Sequence, residues 1–497
     1  MPKSGENSKL KRFLFHNQNT AQTIAKNTFW LSFGEITGRF LRVAIIFYAA
    51  RVLGVAGYGT FSYMTNLAGL VTIFSDVGLS GVLIREVAKD KEKRMALFST
   101  SLVLKMALLL LSLFFIVFGT PLITSIPISK TLILATAALF IFDSLRRFGS
   151  SIFRAEERME LEALINIFTQ VVIVGIGFIA LFLRPAPETL TLAYAIGAGV
   201  GFIATVSFLL PYIKRIISHF DRTLIRSLIS AAWPMTLASI FGTLMVNVDT
   251  IMIGWFFDAH AVGLYAAAQK PIAFFYLLPA LIVGGLFPTL SRLVKTNAEE
   301  FTRVVERGLS AVMLMAIPLV VSILLTAEQI SNLFYGDAYL GSAASLRILS
   351  LTLLLTFPAT VLIHSLFAHN KQKDLVPFWT FGSVLDVILN WLMIPVFGII
   401  GAAVSSVISQ LTINGVLWRK ARAVSPFHLL PRIGGIIKAT ALMAIVILGM
   451  NFLNIPFIFT IFTALLTYFI GLIVFKDHTL IELRRTVSNA YHDSGDK

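Results

Sequence analysis

The sequence predicts an all-α integral membrane protein of about 14 transmembrane helices, built as two similar six-helix halves with two C-terminal helices appended. Three observations predict it. The 497 residues are 57% hydrophobic and only 13% charged. Apolar runs of about 20 residues, the length that crosses a bilayer as a helix, recur from Asn27 to Phe475. The basic residues fall between those runs on alternate sides. A β-barrel is excluded because runs such as LVLKMALLLLSLFFIVFG do not alternate apolar with polar residues.

In chain order, residues 1–26 form a basic cytoplasmic arm, without the short apolar core and cleavage site of a signal peptide. Spans follow at 27–50, 58–80, 95–119, 126–143, 161–183 and 189–212, the first lobe, 27–212. A basic cytoplasmic linker, 213–226, leads to the second lobe, 227–418. Its spans lie at 227–255, 261–290, 307–326, 343–367, 375–397 and 399–418. Two further helices fill 433–475, divided near Asn454, and 476–497 form a cytoplasmic tail.

The charges test this count. With the N-terminus inside, 33 of the 41 Lys and Arg residues fall in inner segments. Three (Arg51, Lys130 and Arg184) fall outside, and five (Arg39, Arg42, Lys105, Lys270 and Arg347) within spans. One span more or fewer would scramble the alternation downstream. The formal net charge of +15 is therefore a topology signal before it is a nucleic-acid signal. The multi-pass chain is expected in a cell (cytoplasmic or inner) membrane with both termini cytoplasmic.

The halves echo one another. LGVAGYGTFSY (Leu53–Tyr63) follows span one, and FDAHAVGLYAA (Phe257–Ala267) follows span seven at an offset of 204. FRAEERMELEAL before span five has its counterpart in FAHNKQKDLVPF before span eleven. Six spans per half give both halves the same orientation, a parallel repeat of the kind that binds substrate between its halves.

Span one poses the chemical question. GEITGRFLR places Glu35, Arg39 and Arg42 four and three apart, on one helix face. A charge at the bilayer centre costs about 2.5–3.5 kcal/mol on insertion scales. Glu35 and Arg39 have the i,i+4 spacing of an ion pair. Gly34 and Gly38 form a GxxxG that permits close helix approach. From the outer ends of their spans, Arg39 is about 16 Å deep, Arg42 about 12 Å and Lys270 about 14 Å. Arg51 lies at the outer mouth. Cations at mid-bilayer suit a phosphate, which Arg binds bidentately and Lys as a point charge. The plainer reading is that Glu35 neutralises Arg39 and the remaining cations snorkel. Asp249 in span seven either pairs with Lys270 or holds a coupling cation. Asp386 shares a face with Asn390 in span eleven. Lys105 and Arg347 read as structural, and Asp76 and Asp143 are expected to meet Arg85 and Arg146 at inner helix ends.

No cysteine is present, so no disulfide, thiolate metal site or catalytic thiol exists. GxxxxGK[ST], HExxH and GxSxG are absent, and the eight histidines are scattered. No cofactor and no enzyme activity are expected.

NTFWLSFGEITGRFLRVAIIFYAARVLGVAGYGTFSY, FSDVGLSGVLIREVAK, FRAEERM and VDTIMIGWFFDAHAVGLYAAAQK resemble the polysaccharide flippases of the multidrug/oligosaccharidyl-lipid/polysaccharide exporter superfamily. That resemblance implies two six-helix lobes around a central cavity. It also implies movement of polyprenyl-(di)phosphate-linked oligosaccharide from the cytoplasmic to the outer leaflet by alternating access, for surface polysaccharide or glycan biosynthesis. By position, Arg39, Arg42 and Lys270 match its substrate-binding cations, and Arg51 matches less closely. Glu35, Asp249 and Asp386 are candidates for ion coupling or charge tuning, to a proton or sodium gradient or the membrane potential. The implied partners are the lipid-linked glycan, the bilayer, and glycan polymerase and glycosyltransferases of the same pathway, with no nucleic acid. The alternatives are a peptidoglycan-precursor substrate, a multidrug/cation antiporter of the same superfamily, or a membrane glycan polymerase or ligase.

Overall fold

The structure, a computed structural model, describes residues 20–90 and 92–482. Most of the expected N-terminal arm and of the C-terminal tail lies outside the described residues. Among the described residues all regular structure is helical. The helices are α1 (Thr20–Asp76), α2 (Leu79–Lys89), α3 (Arg94–Phe114), α4 (Lys130–Ala155), α5 (Met159–Leu183), α6 (Pro187–Ser218), α7 (Thr223–Phe256) and α8 (Ala259–Phe275). They continue as α9 (Leu278–Leu293), α10 (Ala298–Tyr335), α11 (Ala343–Ala368), α12 (Val376–Val424), α13 (Leu430–Phe452) and α14 (Phe457–Val474).

Eleven helical stretches among the described residues are long and apolar enough to cross a bilayer. Two of them hold two spans each. Drawn straight, the 57 residues of α1 would reach about 85 Å, far beyond a hydrocarbon core of about 30 Å. Gly54 breaks α1 with φ 68° and ψ 177°, a conformation that needs a residue without Cβ. Gly398 breaks α12 with φ 59°. There the chain doubles back, since a Cβ on Gly401 would strike the backbone of Met393 eight residues earlier. In a straight helix those residues stand about 12 Å apart. The 26-residue α4 carries Asp143, Arg146 and Arg147 in its second half and adds one further span. With these, the helices accommodate the fourteen predicted spans.

Two local differences have physical causes. Span two ends at Asp76, where Val77 (φ 43°) and Gly78 (φ 68°) turn the chain into the separate helix α2. Its Leu79, Val82, Leu83 and Val87 are buried against Phe98, Phe148 and Phe153, so a stretch that reads as half span and half loop is an amphipathic helix. Span eight runs through Pro271 as helix α8 and breaks at Tyr276–Leu277. Pro279 sits in the first turn of α9, where a missing N–H costs nothing, and so sets a helix start.

Two compact units divide the chain between Gly263 and Leu264. In the first, α1 packs on α5 and α7, and α4 and α5 pack on α6. In the second, α11 packs on α9, α10 and α12, while α13 joins α10 and α14.

The repeat appears as a reciprocal contact. A Cβ on Gly59 would strike the carbonyl of Ala259, and one on Gly263 would strike the carbonyl of Val55. Adding the offset of 204 turns Val55 into Ala259 and Gly59 into Gly263. Each turn thus meets its sequence counterpart in matching positions, all within the first unit. Both glycines are needed for close backbone approach. Replacing either by Ala is expected to destabilise the protein by about 1–3 kcal/mol. Gly175→Ala, where a Cβ meets nothing within 4 Å, should be neutral or slightly stabilising. Thermal unfolding in detergent measures all three.

A charged cluster in the first unit

Close packing positions the cations of span one. A Cβ on Gly34 would stand 2.9 Å from the Cα of Ala163, and one on Gly38 would stand 3.3 Å from Gln170 Cγ. The GxxxG therefore seats α1 directly on α5. Asn166 Nδ2 donates to the carbonyl of Gly34 at 3.3 Å. Toward the start of α1, Lys26 Nζ meets Glu160 at 3.0 Å and is almost fully buried. These contacts fix the rotation of α1 about its axis and so the direction of Glu35, Arg39 and Arg42.

Glu35 and Arg39 form the predicted i,i+4 pair, at 2.7 Å, with both side chains about half exposed. Arg42 is different. Its Nε donates to Gln170 Oε1 at 3.4 Å, and among the described residues no carboxylate forms an ion pair with it. The ionisable groups that act on its charge are Tyr194, Arg147, Asp143 and Glu35. Arg42 is nevertheless exposed at the protein surface. A guanidinium exposed at mid-span needs water or an anion, because lipid offers it no partner. Since α1 continues to Gly54, Arg42 lies about 18 Å and Arg39 about 22 Å from the kink. Both are deeper than the sequence estimate.

Arg147, counted with an inner loop by sequence reading, belongs to this cluster. It extends from α4, pairs with Asp143 at 2.6 Å and is 64% exposed. Asp143, Glu35 and Asp76 all act on its charge. Arg146 pairs with the same Asp143 at 2.7 Å but is buried. The signal for Arg147 was the D-x-x-R-R spacing, which puts both arginines within reach of one carboxylate if the helix continues, as α4 does to Ala155.

Asp76 does not meet Arg85, which pairs with Glu86 at 3.0 Å. The break at Val77 turns α2 away, and Asp76 instead accepts from Ser80 Oγ at 2.6 Å and faces Lys105 Nζ at 3.5 Å. Lys105, 2% exposed, also donates to Ser75 Oγ at 3.3 Å. Within one connected group there are six cations (Arg39, Arg42, Lys105, Arg146, Arg147 and Arg154) and four carboxylates (Glu35, Asp76, Asp143 and Glu162). The excess is two positive charges.

The other candidate residues lie elsewhere. Arg51 is exposed, about 14 Å along α1 from Arg42. Asp249 is buried in α7 of the first unit. Lys270, half-buried in α8, belongs to the second unit, as does Asp386, buried in α12 one turn from buried Asn390. Arg347 pairs with Glu328 at 2.8 Å.

The two carboxylate pairs differ in environment, and their loss should differ too. Asp143→Asn leaves buried Arg146 without its carboxylate and is expected to cost about 3–5 kcal/mol. Glu35→Gln removes an exposed pair and should cost about 0–1 kcal/mol. Denaturation of the purified variants compares them.

Known proteins share this architecture. The family model described as polysaccharide biosynthesis protein matches residues 24–294, more than half of the chain, and the MatE model matches residues 234–392. A Haloferax volcanii protein named "Probable low-salt glycan biosynthesis flippase Agl15" is 26% identical over 466 residues, covering 92% of this chain and 96% of its own length. The "Probable flippase AglR" of the same organism is 28% identical, covering 84% of this chain and 88% of its own. Among solved structures, the lipid II flippase MurJ in an inward closed conformation superposes with a TM-score of 0.72 at 19% identity, covering 91% of this chain and 99% of its own. An inward-facing multidrug resistance MATE family transporter superposes at 0.59 with 16% identity, covering 78% of this chain and 99% of its own. At such identities the solved structures establish the fold alone. With the model match spanning the charged cluster and more than half of the chain, the chain belongs to the polysaccharide biosynthesis protein family.

Proposed function

We propose that this protein is a flippase that carries polyprenyl-(di)phosphate-linked oligosaccharide from the cytoplasmic to the outer leaflet of the cell membrane by alternating access. The observation that carries the reading is Arg42: an accessible intramembrane guanidinium without a carboxylate, in a cluster two positive charges in excess. A phosphate headgroup supplies the missing charge, and guanidinium–phosphate pairs are bidentate and charge-assisted. Arg147 is the second accessible donor. Arg39 is held by Glu35, and Arg51 of the first unit and Lys270 of the second are assigned as further cations for the headgroup along its path. The lipid tail stays in the bilayer throughout. The relatives' names support this reading, as does the basic bias of alternate loops, which sets both termini inside. A cation antiporter would concentrate carboxylates where this chain concentrates arginines, and the short connections leave no soluble domain for a polymerase or ligase.

Anionic cargo moving outward runs down an inside-negative potential, worth about 2.3 kcal/mol per charge per 100 mV. Asp249 and Asp386, buried within spans, are the groups we assign to proton or sodium uptake, with Glu35 tuning Arg39. The same pathway's glycosyltransferases and polymerase supply and consume the cargo.

Reconstituted flipping of a fluorescent polyprenyl-diphosphate sugar tests the proposal. Arg42→Ala should insert and fold normally yet slow flipping at least ten-fold, and the double variant Arg39→Ala/Arg42→Ala should abolish it. Wild-type rates for Arg42→Ala would remove the phosphate role. A valinomycin-imposed inside-negative potential should accelerate wild-type flipping, and collapsing it should slow flipping. Equal rates would leave the potential without a part in the cycle.

A further inference from the structure

The second unit holds a different kind of intramembrane polar surface. At the break between α8 and α9, Tyr276 OH meets Thr352 Oγ1 at 2.7 Å. Gln410 from α12 donates to that hydroxyl at 3.4 Å and accepts from Thr356 Oγ1 at 2.7 Å. Twelve residues further along α11, His364 packs edge-on against Phe287 of α9, with ring centroids 5.5 Å apart. From Tyr276–Thr352 to Phe287–His364 the two helices advance together by 11 and 12 residues, so the seam is about 17 Å long. Tyr276, Thr356, His364 and Gln410 are each partly accessible, and Phe287 is exposed.

The chemistry of this seam is neutral. From Ile348 to the end of α11 there is no Asp, Glu, Lys or Arg, and in α9 the one charge is Arg292, beyond Phe287. His364 Nδ1 lies 2.8 Å from the Thr360 carbonyl, which can only accept. Nδ1 therefore carries a proton, and in the neutral ring Nε2 is left as an acceptor. Among the described residues Nε2 has no hydrogen-bond partner. A row of accessible amide, hydroxyl and imidazole groups is costly against acyl chains and useful against a ligand that is itself rich in hydroxyls. The exposed ring of Phe287 beside the imidazole offers an apolar face next to an acceptor. A sugar presents that same combination, apolar C–H faces and O–H donors.

We propose that this seam is a glycan subsite: His364 Nε2 accepts from a sugar hydroxyl, Phe287 packs on a sugar face, and Gln410 with Tyr276 hydrogen-bonds sugars further along. The proposal rests on the flippase reading and divides the labour, with the arginine cluster taking the phosphate and the neutral seam reading the glycan. His364 lies about 6 Å from the inner end of α11, so a headgroup arriving from the cytoplasmic side meets it first.

The test compares two probes in reconstituted vesicles, a polyprenyl-diphosphate trisaccharide and a polyprenyl-diphosphate monosaccharide. The readout is the ratio of their flipping rates. His364→Ala and Phe287→Leu should each lower the trisaccharide-to-monosaccharide ratio about two- to ten-fold, the size of one neutral contact. His364→Gln, which restores a neutral hydrogen-bonding group, should recover part of that loss. Arg42→Ala should slow both probes and preserve the ratio. Phe287 sits on an exposed surface, so its variant keeps the core intact even if His364→Ala fails to fold. An unchanged ratio in Phe287→Leu and in any folded His364 variant overturns the glycan subsite. Undiminished flipping of both probes by Arg42→Ala instead overturns the phosphate reading, a separate outcome.

Discussion

The constraint on which the rest depends is that hydrocarbon cannot solvate a charge. Each ion placed in a span must find a counter-ion, a hydrogen-bonding partner or water. Lys105 and Arg146 satisfy the rule inside the protein, buried against Asp76 and Asp143. Arg39 and Arg147 satisfy it halfway, paired with a carboxylate yet accessible. Arg42 satisfies it least, with one amide oxygen at 3.4 Å. This gradation ranks the charges by how much each could still offer a ligand. A residue fully neutralised in the folded chain has nothing to offer a ligand, whereas a half-satisfied one gains free energy when an anion arrives.

Geometry keeps that half-satisfied state from relaxing. Gly34 and Gly38 bring α1 onto α5 so closely that the helix cannot rotate, and Gln170, itself almost fully buried, holds the Arg42 stem from behind. Glu35 is four residues from Arg39 and seven from Arg42, so it captures Arg39 and leaves Arg42 outside bonding range. The cluster's excess of two cations is a property of spacing on α1 combined with one carboxylate shared by two arginines on α4. Wholesale neutralisation would require two further acids.

The fold was legible in the sequence because the bilayer imposes one length and one polarity on every crossing, and the alternation of basic loops checks the count. The repeat was legible from two turn sequences, and its offset of 204 reappears in the reciprocal approach of Gly59 and Gly263. The Glu35–Arg39 pair was legible because both partners lie on one helix. Arg147 and Gln170 were not, since their roles depend on which helices become neighbours, and spacing along one chain carries no such information. Asp76 was misassigned for a related reason: the turn at Val77, a β-branched residue in the left-handed region, has no sequence signal beyond Gly78. The break in span eight had no place in the span count, and Pro279, in the first turn of α9, sets it.

The two units carry different intramembrane polar chemistry, charged in the first and neutral in the second, and the proposed division of phosphate from glycan follows from solvation. A phosphate is strongly hydrated and enters a membrane only if formal charge replaces its water, which is what arginines at mid-span provide. A sugar is neutral, and each hydroxyl needs one donor or acceptor of ordinary strength. Charges facing the glycan would bind water more tightly than the sugar and add nothing to discrimination. Amides, hydroxyls and an imidazole match the sugar's hydroxyls without holding a dense water shell. Under the proposed division, a carrier that grips one constant group and selects a variable one needs both chemistries that this chain carries: arginines concentrated on α1 and α4, and a neutral seam along α9 and α11.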